Sequence, residues 1–236
     1  MRIAPLHAWA LPAAEAVELQ RALAAKVRER PLRRAPRLVA GIDCGYSRRE
    51  DRLYAAVVLC RLPGRTPHSP VEVETVEERV VTARPRMPYI PGLLSFRELP
   101  PVLECLERLE HAPEAVLVDG QGRAHPRRLG IASHLGLILG IPTVGCAKSL
   151  LVGVHAVPGR RRGSRRALLH RGETVGCALR TRDGVAPVYV SVGHLADLAG
   201  AVRLVLAATA GFRLPEPARR AHHLATMARL KDEGGQ

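Results

Sequence analysis

At 236 residues the chain is long enough for one large domain or two small ones, and with 47% apolar but only 3% aromatic residues its core must be built mainly from Leu, Val, Ile and Ala. Lys and Arg number 36 against 22 acidic residues, a formal charge of +14 that favours a polyanionic partner, nucleic acid above all, although a general bias towards Arg, Ala and Leu accounts for part of it. Cys44, Cys60, Cys105, Cys146 and Cys177 include no Cys-x-x-Cys pair, which argues against zinc or disulfides; with no signal peptide and no apolar run of membrane-spanning length, a soluble cytoplasmic protein is expected.

Pro12 opens a helix with Ala16, Leu19, Leu23 and Val27 on one face, ending near Pro31. Arg33, Arg34 and Arg37 lead into a strand from Leu38 to Asp43. A second strand runs from Leu53 to Leu62 and a more polar third from about Val71 to Val81, joined closely enough to form an antiparallel meander. The run Met87 to Glu98 is the densest segment. Pro88 and Pro91 restrict the backbone around Tyr89 and Ile90, so the phenol ring stands on a stiff tip suited to insertion between stacked bases. A helix follows from about Ser95 to Glu110 and carries Glu98. Ala115 to Asp119 is a buried strand, Arg127 to Leu139 a helix and Ile141 to Gly145 a strand, an alternation that predicts parallel pairing in the second half. Residues 158–166, with five arginines, read as a mobile surface loop, a solvated charge run first and a phosphate track second. Glu173 to Arg180 and Ala186 to Val192 form a hairpin across Asp183-Gly184, and a last helix covers about Leu195 to Ala210. No repeat or composition shift marks a boundary, so residues 1–236 are read as a single domain.

Asp43 and Asp119 each end an apolar strand. Taken singly, either is a turn or cap residue. On neighbouring strands beside a basic surface, they bring carboxylate oxygens within reach of one divalent cation, and hard oxygen ligands select Mg²⁺ or Mn²⁺ over zinc. Glu98 is the third candidate carboxylate. A cation held there binds a phosphate oxygen and lowers the pKa of water, and a second can stabilise the leaving 3′ oxygen; the sequence leaves one or two ions open. Lys148 either neutralises phosphate charge or orients the attacking water. The segment from Asp119-Gly120-Gln121-Gly122 to Gly130 is not a dinucleotide fingerprint, because its third glycine is misplaced. A pocket for an extruded base fits better, walled by Gly92, Leu94, Gly120, Ile131 and Gly145. His125 can reach the same site or serve as a cap. His134 reads as structural, and His194 and His222 as surface residues.

Four ordered motifs spread along nearly the whole chain resemble endonuclease V, a family of deoxyinosine-directed repair nucleases. They are Gly41-Ile42-Asp43; Pro88-Tyr89-Ile90-Pro91-Gly92 with Phe96-Arg97-Glu98; Asp119-Gly120-Gln121-Gly122 with His125-Pro126-Arg127; and Gly145-Cys146-Ala147-Lys148. The resemblance implies an α/β, ribonuclease H-like fold, a mixed β-sheet flanked by helices. It implies Mg²⁺-dependent hydrolysis, with Mn²⁺ as a substitute, of the second phosphodiester bond 3′ to the lesion. Asp43 and Asp119 are then metal ligands with Glu98 as third acidic residue, and Lys148, His125 and His222 support catalysis. Tyr89, with Pro88, Ile90 and Pro91, is the implied wedge; Gly92, Leu94, Gly120 and Gly145 are the implied pocket, beside Gly122 and Ile131. The implied partner is inosine-containing DNA, single- or double-stranded, acted on by a monomer. Inosine-containing RNA is the alternative substrate, and a non-catalytic basic nucleic-acid-binding protein the alternative class. The basic 158–166 loop and Cys44-Gly45-Tyr46 depart from the family pattern without removing a catalytic group.

Overall fold

The computed structural model describes residue 3 and residues 6–32, 34–63 and 72–234. After helix α1 (Ala13–Ala24), strands β1 (Leu38–Ser47), β2 (Arg52–Arg61) and β3 (Glu74–Ala83) form the antiparallel meander the sequence predicts. Helix α2 (Leu94–Glu107) leads to β4 (Ala115–Val118), which lies parallel to β1 with Val118 opposite Ile42. Helix α3 (Ile131–Leu139) crosses over to β5 (Thr143–Ala147), parallel to β4. Then come β6 (Arg165–His170), β7 (Glu173–Leu179), β8 (Val188–His194), α4 (Leu198–Ala207) and α5 (Glu216–Gly234). The strands make one mixed sheet in the order β3-β2-β1-β4-β5-β8-β7-β6.

Both faces of the sheet are covered, which is why its central strands read as continuous apolar runs. Alternate residues of β2 serve opposite cores. Ala55, Val57 and Leu59 join Leu99, Val102 and Leu106 of α2 and Leu135 of α3. Ala56, Val58 and Cys60 join Val202 and Leu204 of α4 and Ala221 and Ala225 of α5. Helix α1 stands apart, with Ala16 in a smaller cluster with Met87, Leu93 and Phe96 beneath the proline-rich tip. All five cysteines are free thiols. No helix among the described residues is long and apolar enough to cross a membrane.

Several boundaries differ from the sequence reading. The first helix stops at Ala24 because the chain beyond is captured elsewhere: Arg28 N–H donates to His194 Nδ1, Leu195 N–H to Arg28 O and Arg30 N–H to Ala196 O. The third strand begins at Glu74; Val71, its expected start, lies outside the described residues. Helix α3 starts at Ile131 rather than Arg127, since Arg128 takes a left-handed φ of 59° and Gly130 N–H closes back onto Gly122 O. Parallel pairing is confined to β1, β4 and β5, and everything after β5 is antiparallel. The hairpin across Asp183-Gly184 is β7–β8, preceded by the unforeseen β6, which turns into β7 through Arg171 and Gly172, both at positive φ. The 158–166 segment is pinned: the Arg180 guanidinium donates to Pro158 O and Gly159 O, and Gly163 N–H to Arg180 O. Helix α5 was not foreseen either.

Candidate active site

Parallel register places Asp43, one residue past Ile42, level with Asp119, one residue past Val118. Helix α5 brings His222 to the same point. It can lie this close because β1 has glycine at position 41; a Cβ there would stand 1.9 Å from Pro217 C. One ligand atom each from Asp43, Asp119 and His222 lies within 4.8 Å of the others. His222 Nδ1 is 2.6 Å from Asp43 Oδ2, and Cys44 N–H donates to Asp43 Oδ1 at 2.8 Å. Lys148, following β5, ion-pairs with Asp119 Oδ2 and stands 4.0 Å from Asp43 Oδ2 and 3.2 Å from His222 Nδ1. Burial, and then the charge of Asp119, raise the Asp43 carboxyl above its usual range, with Lys148 and His222 opposing. Two half-buried carboxylates that repel one another, with an imidazole alongside, are a donor set suited to a divalent cation.

Glu98, expected as the third acidic member, is not one of these three clustered residues. Its carboxyl is nonetheless pushed up to about 8, by burial first and by Asp43 next, with a weaker contribution from Asp119. It therefore stands within electrostatic reach of both aspartates.

A single cavity of about 330 Å³ has Asp43, Asp119 and Lys148 in its lining together with Tyr89, Gly92, Leu94, Gly120, His125 and Ile131. Tyr89 is 67% exposed at its edge. The other tip residues face elsewhere: Pro88 borders a groove with Tyr46 and Arg48, and Ile90 and Pro91 border one with α1. Gly122 and Gly145 do not line the cavity. A Cβ on Gly122 would lie 2.0 Å from Val192 O, and one on Gly145 2.6 Å from Gly120 O, so these glycines let the 120–130 loop seat on the sheet.

The tip is held by one carbonyl. Gly92 O accepts from Gln20 Nε2 at 2.9 Å, Arg127 Nη2 at 2.8 Å and His125 Nε2 at 3.1 Å. Gly92 itself has φ +81°. His125 Nδ1 accepts from Arg127 N–H, so both ring nitrogens are engaged, and burial pushes the ring down to about 4. His125 thus reaches the site as a neutral strut behind the tip. His194 is not a surface residue but buried. Gln20, Ser95 and Gln121 also line the cavity without having been singled out. Gln20 left one signal, a polar residue on the apolar face of α1 between Ala16 and Leu23.

Residues 21–223 match the family model described as Endonuclease V. The endonuclease V of Geotalea uraniireducens is 49% identical over 217 residues, covering 92% of this chain and 88% of the relative. The crystal structure of endonuclease V from Streptomyces avermitilis superposes with a TM-score of 0.87 at 39% identity, covering 95% of this chain and 96% of the other. That of Ciona intestinalis endonuclease V, in complex with a 24mer DNA containing an inosine followed by a ribo-adenosine, superposes with a TM-score of 0.76 at 25% identity, covering 92% and 98%.

Proposed function

The chain belongs to the endonuclease V family, and from that premise we propose that it is a DNA repair nuclease that extrudes deoxyinosine and cuts the second phosphodiester bond on its 3′ side. The observation that carries this reading is the shared cavity, in which an exposed tyrosine tip, a glycine-walled space and the Asp43–Asp119 pair border one volume. The DNA bound by the Ciona relative supports the same substrate class.

Each part has a physical role. Hypoxanthine pairs weakly, so extruding it costs less than extruding a normal base, and Tyr89 can fill the gap it leaves. Gly92, Leu94, Gly120 and Ile131 wall the space for the base. Asp43, Asp119 and His222 would hold a divalent cation, Mg²⁺ in this proposal, which supplies positive charge beside the phosphate and acidifies nearby water. Lys148 adds a second positive charge next to Asp119 and can hold a phosphate oxygen in register. Glu98, pushed up to about 8, can hold or move a proton near neutrality.

The test is a set of matched DNA and RNA strands with a single inosine, incubated with Mg²⁺ or with chelator, the cut mapped on a gel. The expected result is a nick on the inosine-bearing DNA strand, one nucleotide beyond the lesion, abolished by chelator. Cutting of RNA alone would move the substrate to inosine-containing RNA, and binding without any cut would leave only a nucleic-acid-binding protein.

A further inference from the structure

Ser95 is the second residue of α2, 2% exposed, and it borders the cavity shared by Tyr89 and Asp43. Its Oγ lies 2.9 Å from Nδ1 of the fully buried His134. His134 Nε2 lies 2.7 Å from His7 Nε2, and His7 Nδ1 lies 2.7 Å from the Ala8 carbonyl oxygen. Trp9 and Phe96 pack against the His134 ring, with centroids 5.5 and 5.1 Å away, and fix its plane.

The direction of this chain follows from its far end. A carbonyl only accepts, so His7 carries its proton on Nδ1. In the neutral ring Nε2 is then bare, and His134 must donate to it from Nε2. His134 Nδ1 is left as an acceptor, and the one hydrogen available to fill it is the Ser95 hydroxyl. Burial, which pushes His134 down to about 3, keeps its ring neutral. With its hydrogen committed to His134, Ser95 can offer a ligand only the lone pairs of Oγ.

We propose that Ser95 is a specificity residue, its hydroxyl held as an obligate acceptor for the ring N–H that a 6-oxopurine carries and adenine lacks, with His134 and His7 as the positioning residues that set this polarity. The proposal rests on the reading that an extruded inosine base enters this cavity. A bare ring nitrogen placed there meets lone pairs on both sides, which selects against the undamaged base beyond what weak pairing alone provides.

The experiment compares labelled single strands carrying inosine, unsubstituted purine (no proton on the ring nitrogen) or adenine at one position, by fluorescence anisotropy with chelator present. The wild-type chain is expected to prefer inosine over purine. Ser95→Ala should narrow that preference about tenfold, weakening the inosine strand while the purine and adenine strands, relieved of the facing lone pairs, bind no more weakly than to the wild-type chain. His7→Ala, at a half-buried position less exposed to misfolding, should narrow it in the same direction by a smaller factor. Equal preference in the wild-type chain and Ser95→Ala, or a uniform weakening on all three strands, would overturn the assignment. An inosine preference that depends on Ser95 but is accompanied by no nick when Mg²⁺ is restored would instead overturn the nuclease reading and leave the assignment standing.

Discussion

At the scale of single residues, the acidic pair and the buried histidines make separable predictions. Asp119→Asn keeps the shape at the end of β4 but removes the charge that faces Lys148 and Asp43. Cleavage of an inosine strand should fall by about 10²–10³-fold, the scale on which loss of one preorganised electrostatic group is felt, while binding in chelator stays near wild type. Full turnover in this variant would remove Asp119 from the metal group. His134 predicts an acid limit to stability. Its folded pKa is about 3 and its unfolded pKa near 6.5, so below about 6.5 the unfolded chain takes up a proton that the folded chain refuses. Stability is therefore fully present above that pH and lost as pH falls towards 3, by roughly 3 kcal/mol between pH 7 and pH 4 from this ring alone. Urea melts at a series of pH values check it: His134→Gln should flatten the acid slope relative to wild type, and an unchanged slope would assign the acid loss to the carboxylates.

Elements set how these residues meet, and here the sequence was legible unevenly. β1 and β4 could be read because burial on both faces leaves continuous apolar runs, and each run ends at an aspartate. The tip could be read because two prolines bracket a tyrosine. Helix α5 could not: its buried side offers only Pro217, Ala218, Ala221 and Ala225 besides Glu216, too little apolar bulk to stand out in an Arg-rich stretch. His222 is exposed, as the residues alone suggested, but α5 sets it against Asp43, and only the family resemblance had placed it at the site. β6 escaped because only Leu168 of its six residues is buried, so an edge strand looked like loop. The same close packing that hid α5 makes it fragile. A Cβ at Gly41 would stand 1.9 Å from Pro217 C and 2.4 Å from Ala218 N, both backbone atoms that cannot swing aside. Gly41→Ala should destabilise by about 1–3 kcal/mol or more, lowering the melting temperature by roughly 5–10 °C. It should also depress cleavage in the surviving folded protein, because pushing α5 outward carries His222 away from Asp43. A variant with wild-type cleavage and melting would show that α5 can be displaced without consequence.

For the molecule as a whole, the sheet gives the basic surface a direction. Ala147 at the end of β5 pairs with Tyr189, Leu179 with Val188, and Arg165 with Leu179, so Arg165 stands at the same end of the strands as Lys148. Three strand spacings separate β5 from β6 in the sheet order, a distance of about 14 Å at 4.8 Å per strand. Arg160, Arg161, Arg165 and Arg166 are exposed at this end on a segment braced by Arg180. A strand cut beside Lys148 would present further phosphates at that reach, and each one neutralised adds about 0.9 to the slope of log affinity against log salt on duplex DNA. Replacing these four arginines with serine should lower that slope by up to about 3–4, weaken long duplexes most, and leave the cleavage rate on a saturating short strand unchanged. Anisotropy titrations from low to moderate salt with duplexes of graded length read this directly. A slope and length dependence identical to wild type would make the segment a solvated charge run, and the +14 charge would then act only as a diffuse field that steers nucleic acid towards the site.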